Sequence, residues 1–367
     1  MKPHYHVMFD GRMISGKISG VARHLINLIS GLNDIAPQNK YSVILTDKDA
    51  LEYFGDKVEV VWAKHGYQSP FEYLELPKII AAHHPDIFHS PSYSAIVQEG
   101  EIPYLITIHD LIDITQEKNI FKRVYKRALM KRACRFADRI LTISEYSKKQ
   151  ISSTLNVRLQ NIDVIYSAIQ EKFFRNIDDN KIQEVKKRYN LPDNYILYIG
   201  RHDAYRNLKG TIDAYLKSGV EEPLVLSLYW AQVQEFCSSA EKPDKIICVG
   251  PIPDADLLYI YRGAKLFLFL SLMEGFALPV VEAFASGIPV VTSNVSSLPE
   301  ISRGCAVEVD PKDINGVAAA IQIAINDQVL RSRNIECGLD RAKEFTVQKL
   351  AERVLKVYEK VLSEYKI

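Results

Sequence analysis

Short apolar runs alternate along this chain with longer segments in which apolar residues recur every three or four positions. The first pattern predicts buried strands and the second predicts helices that lay one face on them. In the first half the runs fall at 4–9, 41–46, 58–62, 87–89, 104–108, 139–143 and 162–165, with helical patterns at 21–32 and 122–136. In the second half they fall at 195–199, 224–228, 245–249, 266–270, 289–292 and 306–309, with helical patterns at 208–216, 254–263, 279–286, 313–326 and 330–344. Such alternation predicts an α/β fold of parallel sheets with crossover helices, in two doubly wound units. A polar, irregular stretch around 167–180 separates them, so the predicted domains are 1–168 and 169–351. A last helical segment, 347–365, carries Leu350, Val354, Val357, Tyr358 and Leu362 at helical spacing.

Composition adds limits rather than direction. At 367 residues the chain is long enough for two cores. Its 47% hydrophobic and 25% charged content is that of an ordinary globular protein. A formal net charge of +1 gives no argument for nucleic acid as a partner. The five cysteines are odd in number, widely spaced and form no CxxC pair, which predicts neither a zinc site nor a disulfide framework. The opening MKPHYHVMFD moves straight into a strand pattern, and no apolar run is long enough to span a bilayer. A cytoplasmic protein is therefore expected.

In open parallel sheets, ligands bind beyond the carboxyl ends of the strands, so candidate chemistry is sought there. After the first strand, Gly16 and Gly20 precede a helix and would let backbone approach a phosphate, although an ordinary flexible turn explains the same spacing. Gly11 to Lys17 opens like a P-loop, but Ile18 stands where a Ser or Thr must reach magnesium, and no G-x-G-x-x-G occurs. After 104–108 comes His109, placed either to hydrogen-bond a reacting sugar or to satisfy a backbone carbonyl. After 195–199 come Gly200, Arg201 and Arg206, suited to a diphosphate, with Lys209 a rival second cation and surface pairing with Asp203 the plainer reading. Over 118–135 a basic run interleaves with Phe121, Tyr125 and Leu129. It reads as a cationic amphipathic helix touching anionic lipid, or as a solvated face over a core stripe.

The stretch SLMEGFALPVVEAFASGIPVVTSNVSSLPE, 271–300, places Glu274 in a turn, Pro279 as first helical residue, Glu282 near the first turn and Gly287 at a left-handed cap. A helix N-terminus beside two carboxylates can seat a phosphate and accept bonds from sugar hydroxyls; dipole compensation explains the same acids.

The pattern Glu274-Gly275-Phe276-Ala277-Leu278-Pro279-Val280-Val281-Glu282 resembles the E-x7-E signature of the retaining glycosyltransferases of family 4, which have the GT-B fold. Tyr198-Ile199-Gly200-Arg201 with Arg206-Asn207-Leu208, Gly250-Pro251-Ile252-Pro253-Asp254, Thr107-Ile108-His109-Asp110-Leu111 and 139–147 match in family order, in the style of bacterial mannosyltransferases of surface polysaccharide. The resemblance implies two Rossmann-like domains facing a cleft, with a crossover helix, 352–367, returning to the first. It implies that Glu274 binds the donor hexose, Glu282 the ribose, and Arg201 and Arg206 the diphosphate. Gly200, Gly275 and the backbone of Phe276, Ala277 and Leu278 would complete the donor loops. Gly16 and Gly20 would face the diphosphate from the first domain, and His109 the sugar. No metal and no cofactor is expected, only a nucleotide-sugar co-substrate, with GDP-mannose favoured over UDP-hexoses. The acceptor would be a glycan or lipid-linked glycan, with Ser92, Tyr93 and the basic helix as candidates, the last also a peripheral contact to the inner membrane face. The alternatives are a GT-B phosphorylase and a non-catalytic nucleotide-sugar or glycan binder. Arg206 stands where the family often has Lys, Ala277 where it often has Gly, and Tyr166-Ser167-Ala168 where it usually has Pro-Asn-Gly.

Overall fold

The computed structural model describes residues 4–16, 19–93, 102–237 and 244–365. The chain divides into two compact units, Met1–Ala168 with Val347–Ile367, and Ile169–Thr346. Unit 1 contains strands β1 (His6–Asp10), β2 (Lys40–Leu45), β3 (Val58–Trp62), β4 (Ile87–Ser90), β5 (Tyr104–Thr107), β6 (Arg139–Thr142) and β7 (Ile162–Val164). Its helices are α1 (Gly20–Ile35), α2 (Glu72–His83), α3 (Ile112–Thr115), α4 (Ile120–Phe136) and α5 (Glu145–Leu155). Unit 2 contains β8 (Ile196–Tyr198), β9 (Leu224–Leu226), β10 (Ile246–Cys248), β11 (Leu266–Phe269), β12 (Val290–Ser293) and β13 (Val307–Val309). Its helices are α6 (Asp179–Arg188), α7 (Leu208–Ser218), α8 (Trp230–Val233), α9 (Asp254–Arg262), α10 (Leu278–Ala285), α11 (Leu298–Ser302), α12 (Ile314–Asn326) and α13 (Gln328–Ala342). The final helix, α14 (Val347–Tyr365), belongs to unit 1.

In unit 1 the strands pair in the order β3-β2-β1-β4-β5-β6-β7, all parallel. Both faces of the sheet are covered, which is why the strands read as continuous apolar runs. Along β1, Val7 and Phe9 enter one core and Met8 the other. The first core is closed by α1 and α14, whose Leu350, Val354 and Tyr358 are fully buried beside Leu25, Leu28 and Leu32. The two helices meet at Gly31, where a Cβ would come within 2.8 Å of the Val347 carbonyl and 2.9 Å of Ala351.

Unit 2 repeats the plan with six parallel strands in the order β10-β9-β8-β11-β12-β13. The chain enters and leaves it side by side, Ile169 bridging Thr346 and donating its N–H to the Phe345 carbonyl at 3.0 Å. In both sheets the winding reverses beside the first strand, between β1 and β4 and between β8 and β11. Those reversals open a crevice at the carboxyl ends of the strands.

Every predicted strand is present, its ends agreeing to within two residues. Helices α2, α5 and α6 were not predicted, because they bury few apolar side chains and α2 carries Pro77 in its interior. The helix placed at 279–286 starts one residue earlier, with Pro279 at its second position after Ala277 turns left-handed. Gly287, at φ +72°, ends it as expected. The cysteines need a correction. Cys305 and Cys337, 32 positions apart, form a disulfide with Cα atoms 5.1 Å apart. Spacing could not show it, because the fold alone carries the turn after α11 to α13.

Candidate functional site

The carboxyl ends of β8 and β11 carry the charged candidates of unit 2. Beyond β8 the chain runs through Gly200 and Arg201 into a 3-10 turn, Ala204–Arg206, and then α7. A Cβ at Gly200 would sit 3.0 Å from the Tyr198 hydroxyl, and its N–H donates to Ser227 Oγ at 3.2 Å, which holds this loop against the sheet.

Arg206 and Arg201 differ sharply. The Arg206 side chain is 18% exposed and donates to the Glu274 carboxylate, with which it forms an ion pair. Its guanidinium also lies 5.2 Å from the Tyr205 ring and 5.4 Å from the Phe269 ring. Burial disfavours its charge, but Glu274 and the neighbouring tyrosines outweigh that, so its pKa rises. Arg201 is 74% exposed, pairs with Asp203 at 2.8 Å and donates to the Tyr205 hydroxyl at 3.1 Å. Lys209, the rival cation, is taken up by Asp213 one helical turn away, at 2.6 Å.

Glu274 is buried beyond β11 and fixed through its backbone: its N–H donates to Ser296 Oγ at 3.1 Å, and its carbonyl accepts from Ser297 Oγ at 3.0 Å. Eight residues on, Glu282 is buried in α10 and accepts from the Tyr261 hydroxyl at 3.0 Å. Burial, then this carboxylate, pushes the Tyr261 hydroxyl well above its ordinary pKa, so it remains a donor. Between the two acids, Gly275, Phe276, Ala277 and Leu278 bring the backbone to the start of α10, with Phe276 anchored edge-on to Phe345 at 5.2 Å. Ala277 adopts φ +76°, ψ 62°, a conformation that Gly takes without strain. The N-terminus of α10 thus presents backbone donors and partial positive charge beside two carboxylates and a guanidinium.

Unit 1 gathers different chemistry. His109, directly beyond β5, packs edge-on to His24 with ring centroids 4.8 Å apart. His24 Nδ1 lies 3.3 Å from Ser167 Oγ; His89 Nδ1 lies 2.6 Å from the Tyr358 hydroxyl, and its Nε2 lies 2.8 Å from Thr107 Oγ1. The Nε2 atoms of His24 and His109 are buried with no hydrogen-bond partner among the described residues. Burial pulls His109 down to about 4, and burial with the His109 charge pulls His89 to about 3. His24 falls well below its ordinary value for the same reasons, burial first. These rings are neutral near pH 7, so His109 offers a hydrogen bond rather than a charge.

Gly16 has φ +53° and lines a cavity of about 460 Å³ with Lys48, Glu52 and Tyr53. Gly20 is the first residue of α1, where Ser19 caps by accepting from Ala22 N–H; a Cβ there would meet nothing, so no backbone demand selects glycine. Lys17 and Ile18, on which the P-loop comparison turned, lie outside the described residues. Ser92 Oγ bonds to the Tyr67 hydroxyl. Sequence reasoning missed the supports: Tyr205, Tyr261, Ser296 and Ser297 in unit 2, and His24, His89 and Tyr358 in unit 1. It also missed Arg12, fully buried between Asp10 at 2.8 Å and Glu72 at 3.1 Å. Among the described residues, no group of three or more His, Cys, Asp or Glu is placed to hold a metal ion.

The glycosyl transferases group 1 family matches residues 179–340, and Glycosyltransferase Family 4 matches residues 18–173. Each half of the chain thus carries a glycosyltransferase domain, and the two parallel-sheet units are those of the GT-B fold. The O-antigen chain mannosyltransferase B of Escherichia coli is 30% identical over 227 residues, which are 60% of this chain and 60% of that protein. The serotype-specific mannosyltransferase WbdA of Escherichia coli is 26% identical over 290 residues, 75% of this chain but only 36% of that protein. The chain therefore aligns with less than two thirds of the length of these relatives. Sucrose-phosphate synthase from Thermosynechococcus elongatus superposes with a TM-score of 0.79 at 18% identity, over 98% of this chain and 100% of that one, a likeness of fold.

Proposed function

We propose that this chain is a retaining hexosyltransferase that moves a sugar from a nucleotide diphosphate donor to a glycan or lipid-linked glycan in surface-polysaccharide synthesis. The observation that carries the reading is the pair of half-buried Arg206 with buried Glu274 beside the start of α10. A diphosphate arriving at Arg206 offers that guanidinium the same charge-assisted geometry as Glu274 does. The Glu274 carboxylate would then turn to the hydroxyls of the hexose, so that donor binding opens the pair. Glu282, oriented by Tyr261, would accept from the ribose, and exposed Arg201 would swing to the outer phosphate. Neutral His109 would donate a hydrogen bond to a sugar hydroxyl.

In the step itself the bond from the anomeric carbon to the diphosphate oxygen breaks while the acceptor oxygen bonds to the same carbon from the same face. The acceptor's proton passes to the departing diphosphate oxygen, and Arg206 and the α10 backbone stabilise the charge that develops. No side chain needs to become a nucleophile. A mannosyl donor is favoured because the E. coli relatives above are named mannosyltransferases. GDP-mannose is the donor proposed.

The test is nucleoside diphosphate release from a panel of GDP- and UDP-sugars. Release from GDP-mannose with an α-configured product supports the reading. Binding with no release under any acceptor would replace it with a binding protein, and release only in the presence of inorganic phosphate would replace it with a phosphorylase.

A further inference from the structure

Arg12 lies buried just beyond β1, and the proposed mechanism does not use it. Burying a guanidinium with two carboxylates costs desolvation that apolar side chains of similar bulk would avoid, so the cluster is a poor device for stability alone. Its hydrogen bonds show what it secures. Nε and Nη2 donate to the two Asp10 oxygens at 2.8 and 2.9 Å, Nη2 also to Glu72 at 3.1 Å, and Nη1 to the His65 carbonyl at 3.4 Å. Asp10 ends β1, Glu72 opens α2 and His65 lies between β3 and α2, so one side chain ties the loop 63–71 to the end of β1. The loop is fixed a second time from α2. Glu72 accepts from the Gln68 N–H at 3.2 Å, and Glu75 accepts from the N–H groups of Lys64 and His65 at 2.6 and 3.0 Å. Gln68 is held at φ +64°, a conformation that such a residue keeps only where its surroundings impose it. What this loop carries is Tyr67. Half-buried Tyr67 meets buried Ser92 hydroxyl to hydroxyl, and Ser92, two residues beyond β4, is fixed through its carbonyl, which accepts from Ser90 Oγ at 2.8 Å. The sheet reverses between β1 and β4, so Arg12 and the Tyr67–Ser92 pair stand where an open parallel sheet binds its ligand.

We infer that Tyr67 and Ser92 form a sugar subsite for the acceptor, and that Arg12 is the positioning residue that sets its loop through Glu72 and the His65 carbonyl. The ligand is a neutral hexose unit. Arg12 is closed on its carboxylates, so the groups that meet at the subsite are two hydroxyls and an aromatic ring rather than a free cation. Hydroxyls bond a sugar's hydroxyls, and the ring covers its apolar face; a phosphate would call for the guanidinium itself. The inference rests on the proposed function for calling that sugar the acceptor, and it deepens that reading by naming where unit 1 selects it.

The test uses the full chain, the donor turned over in the panel above and α-linked mannobiose as the acceptor probe. Nucleoside diphosphate release gives a KM for each, and saturation-transfer NMR reads mannobiose binding without donor. Tyr67→Phe and Ser92→Ala should each raise the mannobiose KM about tenfold relative to the donor KM, the worth of one hydrogen bond. Arg12→Lys keeps the charge but cannot span Asp10, Glu72 and the His65 carbonyl, and should raise the same ratio. An Arg12 that served stability alone would lower the unfolding midpoint and leave the ratio unmoved. Glu75→Ala frees the same loop from α2 without touching the buried cluster, and should raise the ratio even if Arg12→Lys does not fold. An unmoved ratio in folded Tyr67→Phe and Ser92→Ala overturns the subsite, and an unmoved ratio in folded Arg12→Lys or Glu75→Ala overturns the positioning role. Mannobiose that fails to bind a wild type still releasing nucleoside diphosphate overturns this inference alone. Mannobiose bound by a chain that releases nothing from any donor overturns the proposed function alone.

Discussion

The two units share one topology and furnish it oppositely. Beyond β8 and β11 the second unit sets full charges against each other: Arg206 against Glu274, and Arg201 against Asp203. The first unit instead buries three imidazoles, His24 of α1, His89 of β4 and His109 beyond β5, and keeps them uncharged. Of the nine histidines, only His202 lies in unit 2. The difference teaches a division of labour. A half-buried guanidinium can trade one anion for another at little desolvation cost, whereas a neutral ring can only donate or accept a hydrogen bond. Under the proposed function the Arg206–Glu274 cluster would take the diphosphate and the neutral rings the hydroxyls, while the charges of unit 1 at Arg12, Asp10 and Glu72 are closed on one another.

The largest effect that would break this comparison comes from Arg206→Ala. It leaves Glu274 buried without its cation, and should cost unit 2 about 3–5 kcal/mol by denaturant titration. Arg201→Ala, at an exposed position, should leave the same midpoint within about 0.5 kcal/mol. Equal losses would erase the distinction between a structural pair and an exposed one.

Acid sharpens the contrast next. The unfolded chain takes up protons on these histidines near pH 6.5, while folded His109 and His89 resist until about 4 and about 3. Between those values the unfolded state binds more protons, so the stability of unit 1 is complete above about pH 6.5 and declines as pH falls. For fully buried His89 alone the loss approaches roughly 3 kcal/mol at pH 4. Hydrogen exchange, corrected for intrinsic rates, should show β1, β4 and β5 opening more readily at that pH through this term, and His89→Asn should remove part of it. Smaller still is Tyr261→Phe, which deletes the donor to Glu282 and should weaken nucleoside diphosphate binding about tenfold, seen by calorimetry. The smallest is Ala277→Gly. It relieves a left-handed Ala and should shift stability upward by about 1 kcal/mol or less in thermal unfolding.

Much of this was legible in the sequence. Strands buried on both faces announce themselves as apolar runs, and Gly287 and Pro279 marked the helix that carries Glu282. What was not legible depends on distance along the chain. Arg206 meets Glu274 across 68 positions, and Tyr261 reaches Glu282 across 21. Cys305 finds Cys337 only because α13 is folded back. The basic segment showed the opposite limit: its periodicity was plain, but only the fold reveals that Phe121 and Tyr125 face outward while Met130, Ala133 and Cys134 go to the core.

The central claim is that the ion pair in unit 2 exchanges Glu274 for a diphosphate at Arg206. Calorimetric titration of GDP and UDP into the wild type and Arg206→Met tests it most directly, since Met keeps the bulk of the side chain without its charge. The account predicts micromolar-class binding of one nucleotide by the wild type, lowered about a hundredfold in the variant, a loss of about 2.7 kcal/mol. Undiminished nucleotide binding by a folded Arg206→Met protein would contradict it.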